Sequence, residues 1–208
     1  MNSFHVFSYR PLIAGALALL CSFHASAETP EEYAAMAEEA FNNADIVSAI
    51  SNYRKAAEAG YIPAQLRLAF LLDYSEENEE AIKWYRLAAA RGEAQAELGL
   101  ARMYASGDGL EKNLEEARRL LTSSASKGYA RAMVVLAKAY EKGELGFRPD
   151  YEQARAWLEK GIAQNDPASI KRMATAYTNG ELGLRIDRQK AKQLEQQLAR
   201  MNQDGDEQ

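Results

Sequence analysis

The amino-acid sequence predicts an all-α protein, an α-solenoid of about five antiparallel helix pairs. A small residue recurs at intervals of 32, 36, 37 and 37 residues, and two different helical patterns of apolar residues lie between recurrences. No segment of useful length alternates apolar and polar residues as a strand would. The recurring small residues are Gly60, Gly92, Gly128, Asn165 and Asn202. A helix pair of this size cannot bury its apolar face alone, so neighbouring pairs are expected to stack.

The first 27 residues have the three parts of a secretory signal peptide. A sparsely charged start containing Arg10 precedes an apolar run at 12–23, and a small-residue Ala-Ser-Ala site ends at Ala27. The apolar run is shorter than the roughly 20 residues that a membrane-spanning helix needs. We therefore expect cleavage after Ala27 and a mature chain of 28–208.

Removal of the signal peptide limits the chemistry of the mature chain. Both histidines, His5 and His24, lie within it, as does the only cysteine, Cys21. A Ser-His-Asp or Cys-His site and a Cys/His zinc site are thereby excluded, and no metal or cofactor is expected. Without Arg10 the chain has 24 basic and 30 acidic side chains, a balance that argues against nucleic acid as a partner. No other segment is apolar enough to cross a membrane. The mature chain has no cysteine and therefore no disulfide, which favours the periplasm. Secretion from the cell is the alternative location.

One of the two patterns, helix B, precedes each recurring small residue. Segments 49–60 and 81–92, AISNYRKAAEAG and AIKWYRLAAARG, match at seven positions. Its column of small residues is Ala49, Ala81, Ala117, Ala154 and Ala191. A bulky residue follows three positions later, at Trp84, Leu120, Trp157 and Leu194. Because leucine shares this column with tryptophan, we expect both tryptophans to serve packing and not sugar or base stacking.

The other pattern, helix A, follows each small residue, at 64–72, 96–104, 132–140 and 169–177. Start signals fit both helices. Thr29 with Glu32 forms a potential capping box, and Asp166 precedes a proline in the same way. The B helices are predicted to open at Asp45, Asn78, Asn113, Asp150 and Asp187.

A glycine-rich phrase, Tyr-x-x-Gly-Glu-Leu-Gly, occurs at 140–146 and again at 177–183, with a looser copy at 104–110. A phosphate-binding loop would follow a strand and favour a lysine, whereas this phrase follows a helix and carries a glutamate. We therefore interpret it as the turn from helix A to helix B, with glycines free to adopt positive φ. The predicted turn residues are Gly107, Gly109, Gly143, Gly146, Gly180 and Gly183.

The acidic run at 75–80 lacks the residue order of a calcium-binding EF-hand loop. We interpret it as a helix start, where acidic side chains interact favourably with the helix dipole.

The repeat domain is expected to span 28–202, and 203–208 is expected to be a disordered acidic tail.

With units of this length, the chain resembles the Sel-one-like repeat family, a relative of the tetratricopeptide repeats. The resemblance is carried by Gly92-x-Ala94-x-Ala96-x-Leu98-Gly99, followed by Tyr104, Gly107 and Gly109. The second unit departs from it, because residues 74–77 replace the glycine loop. The resemblance implies an adaptor of the kind that holds partners together in envelope assembly, secretion or polysaccharide export.

Two functions are compatible with these observations. The first is a non-catalytic periplasmic scaffold that binds a peptide segment or an envelope-complex subunit. The second is a carboxylate-based envelope enzyme or ligand-binding protein that acts on glycan. Columns of helix A that vary in chemistry are the predicted partner contacts: Arg67, Phe70, Arg102, Val135, Lys138, Arg172 and Thr175, with Gly99 in one of the same columns. Residues 28–60 hold seven acids and two bases, a charge run that is typical of solvated helix faces and would also suit an end that steers a basic partner.

Overall fold

The computed structural model describes residues 28–206; the predicted signal peptide lies outside the described residues. In this range the chain forms ten α-helices, one short 3₁₀ turn at Glu144–Gly146 and no strand. The helices are α1 (Pro30–Asn42), α2 (Ile46–Glu58), α3 (Ile62–Tyr74), α4 (Asn78–Ala90), α5 (Ala94–Ser106), α6 (Leu114–Ser126), α7 (Ala130–Lys142), α8 (Tyr151–Ala163), α9 (Pro167–Asn179) and α10 (Arg188–Asp206).

The helices pack in sequential pairs. Odd-numbered helices correspond to helix A and even-numbered ones to helix B, and each B helix also packs on the A helix that follows it. Successive A helices touch directly at α3 with α5 and at α7 with α9. The all-α solenoid of five antiparallel pairs is therefore confirmed.

The column of alanines explains how the helices approach so closely. Ala49, Ala81, Ala117 and Ala154 are completely buried, and Ala191 is 4% exposed. Four positions later, Tyr53, Tyr85, Leu121 and Leu158 fill the space between units and are 1–3% exposed. Small residues admit the neighbouring backbone, and large ones supply apolar area, roughly 1.5–3 kcal/mol for each fully buried side chain.

The two tryptophans are half-buried against the core. The Trp84 indole N–H donates to Glu80 Oε1 at 3.2 Å, and the Lys160 ammonium lies 3.8 Å from the Trp157 ring centroid. Both side chains are thus engaged within the protein, as the packing interpretation expects.

The predicted helix caps are present with one exception. Thr29 and Glu32 form the capping box, and the side chains of Asp45, Asn113, Asp150, Asp166 and Asp187 accept hydrogen bonds from backbone N–H groups three residues later. Asn78 was wrong as a cap. It is the first helical residue, three positions before Ala81 as in the other B helices, and the cap position is occupied by Glu77, which makes no side-chain cap bond.

The small residues that close the units adopt left-handed backbone. φ is 90° at Gly60, 92° at both Gly92 and Gly128, and 57° at Asn165. Asn202 does not end its helix in a turn, because α10 continues to Asp206. The end predicted for the repeat domain, residue 202, and most of the predicted tail therefore fall within this helix, and 207–208 lie outside the described residues.

The glycine-rich phrases form the turns from helix A to helix B. Gly107, Gly143 and Gly180 end α5, α7 and α9 with φ of 91°, 67° and 72°. Gly109, Gly146 and Gly183 also have positive φ. Leu145 and Leu182 adopt φ of 55° and 54° between them, and the side chain of Leu182 is 3% exposed. Burial of the leucine thus holds a backbone conformation that only glycine adopts readily.

We expect Gly143→Val to lower the free energy of unfolding by about 1–3 kcal/mol, because a β-branched residue is strained at φ of 67° and its Cβ would lie 3.0 Å from Pro149 Cδ. Thermal and urea unfolding followed by circular dichroism measure the loss. Gly92→Ala is the control, since a Cβ there meets nothing within 4 Å and only the backbone is strained. Equal losses in the two variants would contradict the account of this turn.

Candidate partner-binding face

The outer surfaces of α1, α3, α5, α7 and α9 lie side by side, and we call this surface the A face. Three open hollows occur on it. The N-terminal hollow, about 800 Å³, lies among α1, α3 and the start of α5. The central hollow, about 620 Å³, lies at the ends of α3 and α5. The C-terminal hollow, about 370 Å³, lies between α7 and α9.

Six of the seven predicted contact residues line these hollows. Arg67 lines the N-terminal hollow, Phe70 and Arg102 the central one, and Lys138, Arg172 and Thr175 the C-terminal one. Val135 is half-buried on α7 and lines none of them. The structure thus distributes the predicted residues along the whole array and does not gather them into one pocket.

Gly99 does not belong with these residues. It is buried, and a Cβ at this position would lie 2.6 Å from the Tyr85 ring. Glycine occupies this position of the column because the Tyr85 ring lies against it. The position is therefore not a partner contact.

The three arginines among the predicted contacts already have partners within the chain. Arg67 Nε lies 3.1 Å from Glu38 Oε1, Arg172 Nη2 lies 2.6 Å from Glu141 Oε1, and Arg102 pairs with Asp73. In each case the carboxylate comes from the preceding A helix. These pairs join neighbouring units, so the arginines contribute to the joints of the solenoid.

The joint between α5 and α7 differs from the other three. Val135 and Lys138 occupy the positions that hold arginines in the neighbouring A helices, and Lys138 has no ion-pair partner within residues 28–206. Its ammonium is exposed beside the C-terminal hollow. Lys138 is therefore a cation of the A face that remains available to a partner.

The central hollow combines aromatic and acidic side chains. Tyr74 is 83% exposed and Phe70 is 37% exposed, and Asp73, Glu76 and Asp108 also line it. Burial raises the pKa of Asp73, the ion pair with Arg102 opposes this shift, and the charge of Asp108 adds to it. The hollow therefore holds an excess of negative charge beside exposed rings.

The N-terminal hollow is also acidic. Its lining includes Glu31, Glu38 and Glu93 against the single base Arg67. Tyr53 lies at its base, where burial, together with a hydrogen bond to Glu38, raises the pKa of the phenol. The hydroxyl therefore stays protonated at physiological pH.

Sequence reasoning did not identify the partners of these residues. It missed Glu38, Asp73 and Glu141 as ion-pair partners. It also missed the exposed ring of Tyr74 in the central hollow. One signal was available: an acid recurs near the end of α1, α3 and α7, about 30 residues before an arginine of the next A helix. Across residues 28–206 no cluster of potential metal ligands occurs, and no helix in that range has the length and hydropathy needed to cross a bilayer.

Comparison with known proteins gives the same repeat frame. The family model described as Sel1 repeat matches residues 43–61, 62–93, 92–129, 130–166 and 167–203. A crystal structure of a Sel1 repeat protein from Oxalobacter formigenes superposes with a TM-score of 0.72 at 23% identity, covering 81% of this chain and 70% of that one. At this identity the likeness shows the fold alone.

Two curated relatives match part of the chain. An uncharacterized protein of Neisseria meningitidis serogroup B is 32% identical over 108 residues, which is 52% of this chain and 23% of the relative. The alginate biosynthesis protein AlgK of Pseudomonas putida is 33% identical over 129 residues, 60% of this chain and 26% of the relative. The match thus spans about a quarter of the length of these two relatives.

The ion pairs predict that two cations of the A face differ in their effect on stability. We expect Arg172→Met to lower the free energy of unfolding by about 1–2 kcal/mol, because Arg172 donates to both Glu141 and Glu181. Lys138→Met should change it by less than about 0.5 kcal/mol. Urea unfolding of both variants measures the difference. A loss at Lys138 as large as that at Arg172 would show that Lys138 also has a structural partner.

Proposed function

Because this chain belongs to the Sel1 repeat family, we propose that it is a non-catalytic scaffold that binds a protein partner in the cell envelope. Sel1 repeat proteins generally mediate protein–protein interactions, and the fold is typically a non-catalytic scaffold for them. The observation that carries the proposal is the A face, on which three open hollows are distributed between α1 and α9. Such a surface suits an extended peptide segment or the surface of a subunit.

The proposed contacts are the residues of the A face that the joints do not use. Phe70, Lys138 and Thr175 are exposed on three different A helices. Arg67, Arg102 and Arg172 take part less directly, because they hold neighbouring helices in register. We therefore expect Phe70, Lys138 and Thr175 to affect partner affinity by direct contact. The three arginines should affect it only through the stability of the solenoid.

The proposed location is the periplasm. It is supported by the signal-peptide features of residues 1–27, namely the short apolar run and the small-residue cleavage site. The relative from Pseudomonas putida is named for alginate biosynthesis, which supports a role for this chain in an assembly concerned with the envelope.

The alternative is a carboxylate enzyme acting on glycan, and its best location is the central hollow. Glycoside hydrolysis needs one carboxyl group kept protonated and a second one facing the same bond. The raised pKa of Asp73 is one such feature. However, Arg102 donates a hydrogen bond to this carboxylate, which favours its charged form, and the scaffold remains the function that we propose.

We expect the processed protein, immobilised on beads, to capture the same protein from envelope extract in repeated experiments. Lys138→Glu combined with Phe70→Ser should reduce that capture about tenfold or more, because both residues lie on the A face and neither belongs to the ion pairs of the joints. Leu87→Lys is the matched control. Leu87 is an exposed apolar residue of α4, and lysine occupies the equivalent position in α2 and α8. Undiminished capture by the double variant would refute binding through the A face.

Export is tested separately. Residues 1–27 fused to alkaline phosphatase should yield active enzyme outside the cytoplasm, and intact mass of the native protein should correspond to a chain starting at Glu28. The reason is that the small-residue site ends at Ala27. An intact N-terminus together with an inactive fusion would place the protein in another compartment.

A further inference from the structure

In three joints of the solenoid, the turn of one unit covers the start of the preceding B helix. The turn at 107–113 packs on α4, since a Cβ on Gly109 would lie 2.7 Å from Asn78 Cβ and 2.9 Å from Ile82 Cδ1. The turn at 143–150 accepts a hydrogen bond from Arg118 of α6, Nη1 to Gly146 O at 3.2 Å. The turn at 180–187 accepts one from Arg155 of α8 at Leu182 O.

The first joint lacks this cover. Between α3 and α4 the chain has only residues 75–77, so no glycine loop reaches the start of α2. Three of the exposed side chains there are large and apolar: Phe41 is 38% exposed, Ile46 38% and Val47 81%. Ile50 is half-buried, whereas its equivalent in the next unit, Ile82, is covered by a loop and 4% exposed. We call Phe41, Ile46, Val47 and Ile50 the α2 patch.

Internal packing does not require the exposed valine. The equivalent residue is polar and exposed in every other B helix: Glu79, Glu115, Glu152 and Gln189. Contact with a partner would remove the exposed apolar surface of Val47 from water, which is favourable in free energy. An exposed apolar residue in a column of polar ones therefore suggests a binding surface.

The surroundings of the α2 patch are acidic. Asp45 caps α2, and its pKa is lowered by hydrogen bonds with Ser48, so it is charged at neutral pH. Residues 28–60 hold seven acids against two bases. A second copy of the chain would bring equally acidic surroundings to an isologous interface, which like-charge repulsion disfavours.

We propose that the α2 patch is a docking site for a segment of a protein partner in which apolar side chains are flanked by lysine or arginine. The segment occupies the place that the glycine loops take in the later joints, buries Ile46 and Val47, and sets its basic residues against Asp45 and the other acids of the first helix pair. This inference rests on the proposed scaffold function and adds a contact outside the A face, together with the chemistry of the partner.

The test uses a displayed library of random dodecapeptides, selected on the processed protein of residues 28–208. Val47→Glu is the test variant, because glutamate occupies this position in α4, α6 and α8 and suits the first turn of a helix. Leu87→Lys is the matched control. Leu87 is an exposed apolar residue of α4, away from the α2 patch, and lysine occupies the equivalent position in α2 and α8. Circular dichroism and urea unfolding establish that both variants fold as the parent does.

We expect enriched peptides that combine apolar residues with lysine or arginine. Their binding should weaken about tenfold or more in Val47→Glu, persist in Leu87→Lys and weaken as salt concentration rises. Enriched peptides that are acidic, or whose binding is unaffected by Val47→Glu, would overturn the proposal. If such peptides respond to Lys138→Glu instead, the scaffold function stands and only the α2 patch fails.

Two further outcomes would also overturn the docking site. One is the absence of any enriched peptide, while the parent still captures its partner from envelope extract. The other is a dimer in analytical ultracentrifugation that Val47→Glu dissociates, which would make a second copy the occupant.

Discussion

The structure depends on the burial of one apolar seam between consecutive units. A two-helix unit cannot bury its apolar face alone, so every unit requires its neighbour. The completely buried alanine in four of the five B helices, with Tyr53, Tyr85, Leu121 or Leu158 four positions later, meets that requirement at each joint. In α10 the equivalent position is polar, because Glu195 stands where those large residues stand in the other B helices, and it is exposed.

This constraint determines which residues remain for a partner. Because the seam uses one side of each A helix, the A face stays open from α1 to α9. Three of its arginines pair with acids of the preceding A helix and hold successive units in register. The Arg172–Glu141 pair is part-buried and bidentate. Phe70, Lys138 and Thr175 are left for contacts. The α2 patch arises from the same logic, because one unit has a short turn and leaves its neighbour uncovered.

The fold could be predicted from the sequence because its signals are local. Caps at Asp45, Asn113 and Asp150, glycines at the turns and a column of alanines each follow from rules that act within a few residues. The site could be predicted only in part. Whether Arg67 and Arg172 face solvent or an acid about 30 residues away depends on how the units stack, which no local pattern encodes. Gly99 was misplaced for the same reason, since its neighbour Tyr85 belongs to another unit. At Asn202 the expected turn is absent because α10 continues as a helix to Asp206.

The central claim is that the seam serves stability while the A face and the start of α2 serve binding. Hydrogen–deuterium exchange of the processed protein, with and without its captured partner, tests this claim most directly. The account predicts that the partner slows exchange in the exposed turns of α3, α5, α7 and α9 and at the start of α2, and leaves α4, α6 and α8 unchanged. Slowing confined to α4, α6 and α8 would contradict it.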